Sequence, residues 1–316
     1  MKKFLVTGGA GFIGSHITET LLGGGNFVRV LDNFSSGKMS NLAFTKELKR
    51  KSNFELARGD IRNADVCIKA AKGMDFILHQ AALRSVPKSL ERPHDYNDVN
   101  IDGTLNMLEA ALKNKARSFV LASSSSVYGD VDKFPEKETF IPELISPYAL
   151  SKLAGEHYCK IFNVHYGLPT ASLRYFNVFG PRQAVDDEYA VVIPKFITCM
   201  LNDQQPPIFG TGKQSRDFTF VKNVVWANIL ASQKKGLKGD VFNVASGRDY
   251  TVLALVAILN RFMGKNIKPL FLKKRPGDVF RTLADLSNSR KNLGFSPKVD
   301  FTEGLKITLE YFKKNG

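Results

Sequence analysis

The sequence predicts an α/β fold in which a doubly wound parallel sheet carries helices on its faces. Short apolar runs rich in branched and aromatic residues alternate with segments whose apolar residues recur at helical spacing, as in strands joined by crossover helices. Beyond about residue 170, proline and glycine are more frequent and the elements shorter, which indicates a second, smaller lobe partly interleaved with the first.

The predicted elements of the first half follow one another in strict alternation. The strands are Phe4–Thr7, Phe27–Leu31, Phe54–Ala57, Phe76–His79 and Phe119–Ser123, and the helices between them are Gly14–Leu22, Asp65–Ala71 and Asp98–Lys113. We expect residues 1–170 to form the first domain, with segments near 218–240 returning to it, and residues 171–316 to form mainly the second lobe.

Composition and charge limit the classes of function. Hydrophobic content of 43% is ordinary for a globular protein, and no apolar run reaches the roughly 18 residues that cross a bilayer. Cys67, Cys159 and Cys199 have neither metal-ligand nor disulfide spacing, so we expect no metal, no membrane and a reducing cytoplasm. The net charge of +15 is spread along the chain without an aromatic-interleaved basic motif, which favours an anionic small substrate over nucleic acid.

A glycine-rich loop joins the first predicted strand to the first helix. Gly8, Gly11 and Gly14 would let the backbone turn tightly and approach a pyrophosphate, whose charge the helix N-terminus meets. Asp32 ends the second strand, where a carboxylate accepts hydrogen bonds from a ribose and repels a 2′-phosphate. Either feature alone is also typical of an ordinary turn. Together they predict a Rossmann-type domain that binds NAD rather than NADP.

Tyr148 and Lys152 stand four residues apart behind a Ser-Pro helix start, hence on one helical face. A neighbouring ammonium and a positive nicotinamide ring would favour the phenolate of Tyr148 and make it a usable base near neutral pH. Ser124 follows the fifth strand, at the sheet edge where such folds bind ligands. Tyrosine, lysine and serine are ordinary surface residues singly. Behind a dinucleotide loop they predict a catalytic set.

These motifs resemble the extended short-chain dehydrogenase/reductase family, specifically its nucleotide-sugar epimerase branch. The resemblance runs over nearly the whole chain and rests on the glycine loop, His79-Gln-Ala-Ala82, Ser123-Ser-Ser-Ser-Val-Tyr-Gly129, Leu173-Arg-Tyr-Phe-Asn-Val-Phe-Gly180, Ser215-Arg-Asp-Phe218 and Arg275-Pro-Gly-Asp278.

The resemblance implies a site residue by residue. For NAD it implies Gly8, Gly11, Phe12, Ile13, Gly14, Asp32, Asn33, Ser35, Gly37, Asp60, Ile61, Ala81, Ala82, Asn100, Ser123, Tyr148, Lys152 and Tyr175. For the nucleotide sugar it implies Arg84, Ser124, Ser126, Tyr148, Asn177, Val192, Ile193, Ile208, Phe209, Arg216, Arg275, Asp278 and Thr282. Phe209 is equally typical of core packing. The first domain would then hold NAD and the second lobe the sugar nucleotide, in a homodimer paired through the helices of Tyr148 and Asn100–Lys113.

The reaction that the resemblance implies is epimerisation at C4 of a UDP-sugar through a 4-keto intermediate. Lyases of the branch have an acidic residue two positions after the catalytic serine or threonine, whereas this chain has Ser125 and Ser126 in that region. Three alternatives stay open, namely a dehydratase, a decarboxylase and a redox-sensing module. The presence of all three predicted catalytic residues disfavours the redox-sensing module.

The identity of the sugar is less determined by sequence. Thr282 is small where a bulky tyrosine would exclude an acetamido group, which favours UDP-N-acetylglucosamine and its C4 epimer, although UDP-glucose stays open. Arg84 replaces the glycine usual in those enzymes and could bind a carboxylate, so a uronic acid substrate is a further alternative.

Overall fold

A computed structural model describes residues 1–47, 51–185, 192–273 and 279–315. The strands of the main sheet are β1 (Lys3–Thr7), β2 (Phe27–Asp32), β3 (Phe54–Arg58), β4 (Phe76–His79), β5 (Ser118–Ser124), β6 (Thr170–Tyr175) and, later, β11 (Asp240–Val244). Four short strands lie between β6 and β11, namely β7 (Val178–Phe179), β8 (Pro207–Phe209), β9 (Ser215–Asp217) and β10 (Thr219–Phe220), and β12 (Asp249–Thr251) and β13 (Leu270–Leu272) follow.

The helices are α1 (Phe12–Gly23), α2 (Ala64–Ala71), α3 (Val86–Glu91), α4 (Pro93–Tyr96), α5 (Gly103–Lys113), α6 (Pro147–Tyr166), α7 (Val192–Leu201), α8 (Val221–Gln233), α9 (Val252–Met263) and α10 (Phe301–Asn315). A π-helical segment, Asn97–Asp102, runs directly into α5, so the helix predicted over Asp98–Lys113 is present with an irregular first part. No helix in the described ranges is long and apolar enough to cross a membrane.

The seven main strands form one parallel sheet in the order β11-β6-β5-β4-β1-β2-β3. The prediction of a doubly wound parallel sheet is therefore confirmed, and the strand order reverses between β1 and β4. Such a reversal opens a crevice at the carboxyl ends of the strands, which is where ligands bind in open α/β sheets.

Each face of the sheet has its own core because side chains alternate along a strand. Phe4 and Val6 of β1 pack with residues of α1 and α8 on one face, while Leu5 packs with residues of α2 and α5 on the other. The segment from α8 to β11 thus lies on the main sheet. A third core, built around Phe179, Phe218 and Phe301, joins α7, α9 and α10 in the second lobe.

The long helix α6 is attached to the sheet by a buried ion pair. Arg174 of β6 binds Glu156 with two hydrogen bonds of 2.9 and 2.7 Å, and Ser123 of β5 donates a third to the same carboxylate. Both charged side chains are only 4% exposed. These contacts fix how far α6 can slide along the sheet.

The apolar residues of the two helices predicted to pair in a dimer differ in burial. Leu108 is fully buried, and Leu105, Leu112 and Leu153 pack at the edges of the two sheet cores. Ile161 is 44% exposed, as are other apolar side chains of α6. The homodimer stays a prediction.

Candidate active site

A cleft of about 830 Å³ opens at the carboxyl ends of the strands. The residues predicted to bind the dinucleotide that line it are Gly8, Gly11, Phe12, Ile13, Gly14, Asp32, Asn33, Ser35, Gly37, Asp60, Ile61, Ala81, Ala82, Ser123, Tyr148, Lys152 and Tyr175. Only Asn100 of the predicted dinucleotide residues is outside this lining. The topology thus brings together residues that lie far apart in the sequence.

The glycine loop is too tightly packed to accept side chains. Gly8 has a φ of +64°, in the left-handed region, and a Cβ on Gly14 would lie 2.2 Å from the carbonyl oxygen of Gly8. Helix α1 begins at Phe12 directly behind this loop. The backbone N–H groups at the start of α1 therefore face the cleft floor without obstruction, which suits a phosphate group.

Asp32 stabilises this loop as well as lining the cleft. One carboxylate oxygen accepts the N–H of Ala10 at 2.9 Å and the other accepts that of Phe34 at 2.8 Å. At the neighbouring wall, Asp60 accepts hydrogen bonds from Arg62 and from the Asn33 amide, and the Arg62 contacts hold the pKa of that carboxyl well below its usual range. The Asp60 carboxyl is thus ionised, and neither acidic side chain suits a further phosphate.

Tyr148 and Lys152 lie in the first two turns of α6. Ser146 caps the helix by accepting the N–H of Ala149, and Pro147 follows at the first position, as the sequence predicts. Lys152 is 6% exposed, and its Nζ donates to the carbonyl oxygen of Ala122 at 2.9 Å. Burial lowers the pKa of this ammonium to about 8, and Glu156 opposes that fall.

The charges around Tyr148 differ from the prediction. Burial raises the pKa of its phenol above the ordinary value, a hydrogen bond with Ser124 and the charge of Arg84 lower it, and Tyr96 raises it further. Lys152 was expected to make the phenol acidic. Its Nζ is instead bonded to Ala122 and lies 5.9 Å from the ring centroid of Tyr148, so the cation that lowers the pKa here is Arg84.

Arg84 sits between two residues whose backbones are clamped. Asn100 accepts the N–H of Leu83 at 2.8 Å and donates to its carbonyl at 3.0 Å. The Tyr96 hydroxyl accepts the N–H of Ser85 at 3.1 Å and donates to its carbonyl at 2.7 Å. The buried amide of Asn100 is not among the residues that line the cleft and holds the loop that carries Arg84, so its contact with the cofactor stays a prediction.

Most of the predicted sugar-nucleotide residues fall into three groups. Arg84 and Tyr148 line the cleft, and Ser124 and Ser126 lie beside it with their hydroxyls 3.1 Å apart. Ile193 and Ile208 are buried in the second-lobe core, so their side chains serve packing, whereas Val192 and Phe209 are half-buried. Arg275 and Asp278 lie outside the described residues.

Asn177 and Thr282 are brought together outside the cleft lining, and Arg216 directly precedes Asp217, whose backbone bonds to both. The Asn177 amide donates to the Thr282 hydroxyl at 2.9 Å, and the same hydroxyl accepts the backbone N–H of Asp217 at 3.2 Å. Asn177 has a φ of +34°, a left-handed conformation that asparagine tolerates better than most residues. Thr282 thus has a positioning contact in addition to the small size noted from sequence.

Several cleft residues have no counterpart among the predictions, and Arg182 and Gln183 are two of them. Arg182 and Gln183 follow the turn Gly180-Pro181 and both line the cleft. No spacing or periodicity distinguishes them from an ordinary loop, so the sequence offered no signal for them.

Comparison with known proteins decides the family. The model of the NAD-dependent epimerase/dehydratase family matches residues 4–245. The chain belongs to this family. The resemblance seen in the sequence and the expectation of NAD as cofactor are both confirmed by this match, and the glycine loop, Asp32 and the cleft fit a dinucleotide.

Three similar proteins show the range of the family. A putative UDP-glucose 4-epimerase of Methanocaldococcus jannaschii is 38% identical over 98% of both chains. A UDP-glucuronate 4-epimerase of Thermodesulfobacterium geofontis is 33% identical, covering all of this chain and 97% of its own. A UDP-N-acetylglucosamine 4-epimerase of Methanobrevibacter ruminantium, solved with UDP-N-acetylmuramic acid, is 42% identical with a TM-score of 0.93, covering 100% and 99% of the two chains.

The placement of Arg84 leads to a testable pH effect. A cation stabilises a phenolate and lowers its pKa, so we expect Arg84→Ala to raise the pKa of Tyr148. Tyrosinate absorbance of the folded protein, taken as the difference from the same protein carrying Tyr148→Phe, measures this pKa. The control is Arg92→Ala, because Arg92 also lines the cleft but pairs with Asp95. An unchanged or lower pKa in Arg84→Ala, or an equal rise in the control, contradicts this electrostatic role.

Proposed function

We propose that the protein is an NAD-dependent UDP-sugar 4-epimerase. The observation that carries the proposal is the contact between Ser124 and Tyr148 at the cleft wall, beside the buried Lys152 and above a loop built for a dinucleotide. A hydroxyl, a phenol and an ammonium at the mouth of a dinucleotide cleft suit the removal and return of hydrogen at a sugar alcohol.

Each residue has a distinct part in the proposed mechanism. The glycine loop and Asp32 would hold NAD, which would supply the acceptor and the donor of the hydride exchanged with C4 of the sugar. Tyr148 as phenolate takes the proton of the 4-hydroxyl and gives it back, and Ser124 orients that hydroxyl or relays the proton. Lys152 binds the nicotinamide ribose while its bond to Ala122 holds it in place. Because the cofactor is regenerated in each cycle, the protein has no need to release it.

The positive ring of the cofactor completes the electrostatics of the site. Without it, burial keeps the pKa of Tyr148 above its ordinary value. With NAD in the cleft, its positive ring would add to the effect of Arg84 and lower that pKa toward the pH at which a general base is useful. The phenolate of Tyr148 would then be populated mainly in the cofactor-bound protein.

A lyase reaction has less support from the site. The resemblance places Ser125 and Ser126 where dehydratases have acidic residues, and the Ser126 hydroxyl lies 3.1 Å from that of Ser124. Neither of these two positions therefore carries a carboxylate that could assist elimination or decarboxylation. The family includes lyases, so the products of the reaction distinguish a lyase from an epimerase.

We propose UDP-N-acetylglucosamine and its C4 epimer as the first substrate pair. Thr282 leaves room where a tyrosine would meet an acetamido group, and a relative that acts on this sugar matches the whole chain. The alternative is a uronic acid. It is favoured by Arg84, whose guanidinium suits a carboxylate and whose loop is clamped beside Tyr148.

Tyr148→Phe tests the mechanism. We expect its turnover of the UDP-sugar to fall at least about a hundredfold, because a general base typically contributes that much, while the protein still holds NAD. Turnover is measured by chromatography of the UDP-sugars, and NAD by an enzymatic assay of the supernatant after denaturation. The control is Tyr158→Phe, which removes a hydroxyl from the same helix where it packs on the sheet core.

Two results would overturn this account. Near-normal turnover in Tyr148→Phe would remove the phenol from the mechanism. A 4-keto-6-deoxy sugar or a pentose as the product of the wild type would show a lyase instead.

A substrate panel tests the identity of the sugar. We expect Thr282→Tyr to lower the ratio of kcat/KM for UDP-N-acetylglucosamine over UDP-glucose at least about tenfold, because the larger ring blocks the acetamido group. Thr282→Ser is the control, since it keeps both the small volume and the hydroxyl that holds Asn177. An unchanged ratio in Thr282→Tyr contradicts the acetamido pocket. A loss in Arg84→Gly confined to UDP-glucuronate would favour the uronic acid instead.

A further inference from the structure

Arg182 and Gln183 each present a buried polar atom without a hydrogen-bond partner in the part of the chain that the structure describes. These atoms are Nη1 of Arg182 and Oε1 of Gln183. Both residues line the dinucleotide cleft, and Gln183 is only 4% exposed. A buried donor or acceptor that is left unpaired is costly, and most such groups in proteins are paired. A donor and an acceptor side by side on a cleft wall therefore indicate a ligand that supplies both partners.

Other polar atoms of the two side chains are bonded within the protein, which fixes the orientation of both side chains. Nη2 of Arg182 binds Glu19 at 2.6 Å, and its guanidinium lies over the ring of Phe44 at 5.1 Å. Nε2 of Gln183 donates to the carbonyl of Val178 at 3.0 Å. Because a carbonyl can only accept, this bond decides which end of the Gln183 amide is nitrogen. The unpartnered atom of Gln183 is thus an acceptor.

The loop that carries both residues is attached to helix α1. Nε2 of His16 donates to the carbonyl of Pro181 at 2.9 Å, and Glu19 holds Arg182 one turn further along. Burial lowers the pKa of His16 to about 4, so its ring is neutral near neutral pH and adds no competing charge. Helix α1 is the helix whose N-terminus faces the cleft behind the glycine loop. Arg182 and Gln183 are therefore held relative to the phosphate-binding end of the cleft.

We propose that Arg182 and Gln183 bind the dinucleotide directly: Nη1 of Arg182 donates to its diphosphate, and Oε1 of Gln183 accepts a hydrogen from one of its hydroxyl or amide groups. An oxygen acceptor repels a phosphate, so Gln183 must face a donor, which a dinucleotide supplies through its ribose hydroxyls, amino group and carboxamide. A guanidinium suits the diphosphate, and it is pre-oriented by Glu19 and Phe44.

The rate at which the purified holoprotein loses NAD tests the proposal. The protein is diluted into an excess of an NAD-consuming dehydrogenase with its substrate, and each NAD released gives an absorbance change. We expect Arg182→Met and Gln183→Met each to release NAD at least about fivefold faster, because each removes one partner of a buried hydrogen bond. Arg182→Lys keeps the positive charge but loses the planar hydrogen-bonding geometry of the guanidinium, so we expect an intermediate rate of NAD release.

Matched controls have the same local contacts away from the cleft. Arg261 lies over the ring of Phe262, as Arg182 lies over Phe44, and Gln214 donates to the carbonyl of Phe209, as Gln183 donates to that of Val178. We expect Arg261→Met and Gln214→Met to release NAD at the wild-type rate.

Thermal unfolding separates ligand binding from a purely structural role. A ligand that binds only the folded state raises the unfolding temperature by an amount that grows with its affinity, so the proposal predicts a smaller rise on adding NAD in Arg182→Met and Gln183→Met. ADP-ribose contains the same diphosphate and should show the same loss for Arg182→Met. If the two residues only hold the loop, the unfolding temperature falls equally with and without NAD, and Glu19→Gln is as harmful as Arg182→Met.

Equal NAD release in the wild type and both folded variants would overturn the proposal, as would a loss for Arg182→Met seen with NAD but not with ADP-ribose. If Arg182→Met does not fold, Arg182→Lys and Gln183→Met carry the same test. All readouts use the dinucleotide alone. A failure of the proposed sugar chemistry would therefore leave this result unaffected.

Discussion

The buried ion pair between Glu156 and Arg174 is the contact on which the geometry of the site depends. Glu156 is four residues beyond Lys152 and eight beyond Tyr148, so all three lie on the face of α6 that packs against the sheet. Arg174 belongs to β6, and Ser123 of β5 donates to the same carboxylate. Burying two charges costs free energy. The two hydrogen bonds between the guanidinium and the carboxylate, with the third from the Ser123 hydroxyl, offset that cost. Removing one partner would leave a buried charge uncompensated and free the helix that carries the phenol.

The cationic side chains of Lys152 and Arg84 have different roles in the cleft. Lys152 is buried, its pKa falls to about 8, and it is bonded to the main chain of the sheet. It is thus a fixed donor of the cleft wall. Arg84 is exposed, yet Tyr96 and Asn100 fix the backbone on either side of it, so its charge acts on Tyr148 from a defined direction. Tyr96 also packs edge-on against the ring of Tyr148, with ring centroids 6.2 Å apart. The clamped loop and Tyr148 therefore pack as one unit.

Local patterns were sufficient to predict the sheet and the dinucleotide end of the cleft. The alternation of apolar runs and helical spacing, with glycines between β1 and α1, reflects chemistry that neighbouring residues dictate. The place of β11 in the main sheet and the hydrogen bonds of Asn100 and Thr282 depend on tertiary contacts. In a sequence, a buried amide such as that of Asn100 looks the same whether it faces a ligand or a loop. Arg182 and Gln183 were missed because their importance comes from an unpaired atom, which only the packed structure reveals.

The central claim is that hydrogen leaves C4 of the sugar and returns to the same carbon without passing through solvent. Incubation of the enzyme in ordinary water with a UDP-sugar deuterated at C4, followed by mass spectrometry and proton NMR of the epimerised product, tests this most directly. The account predicts that the product retains the deuterium at C4 after many turnovers. Replacement of that deuterium by solvent hydrogen would contradict it, because the epimer would then arise by proton exchange rather than by hydride return.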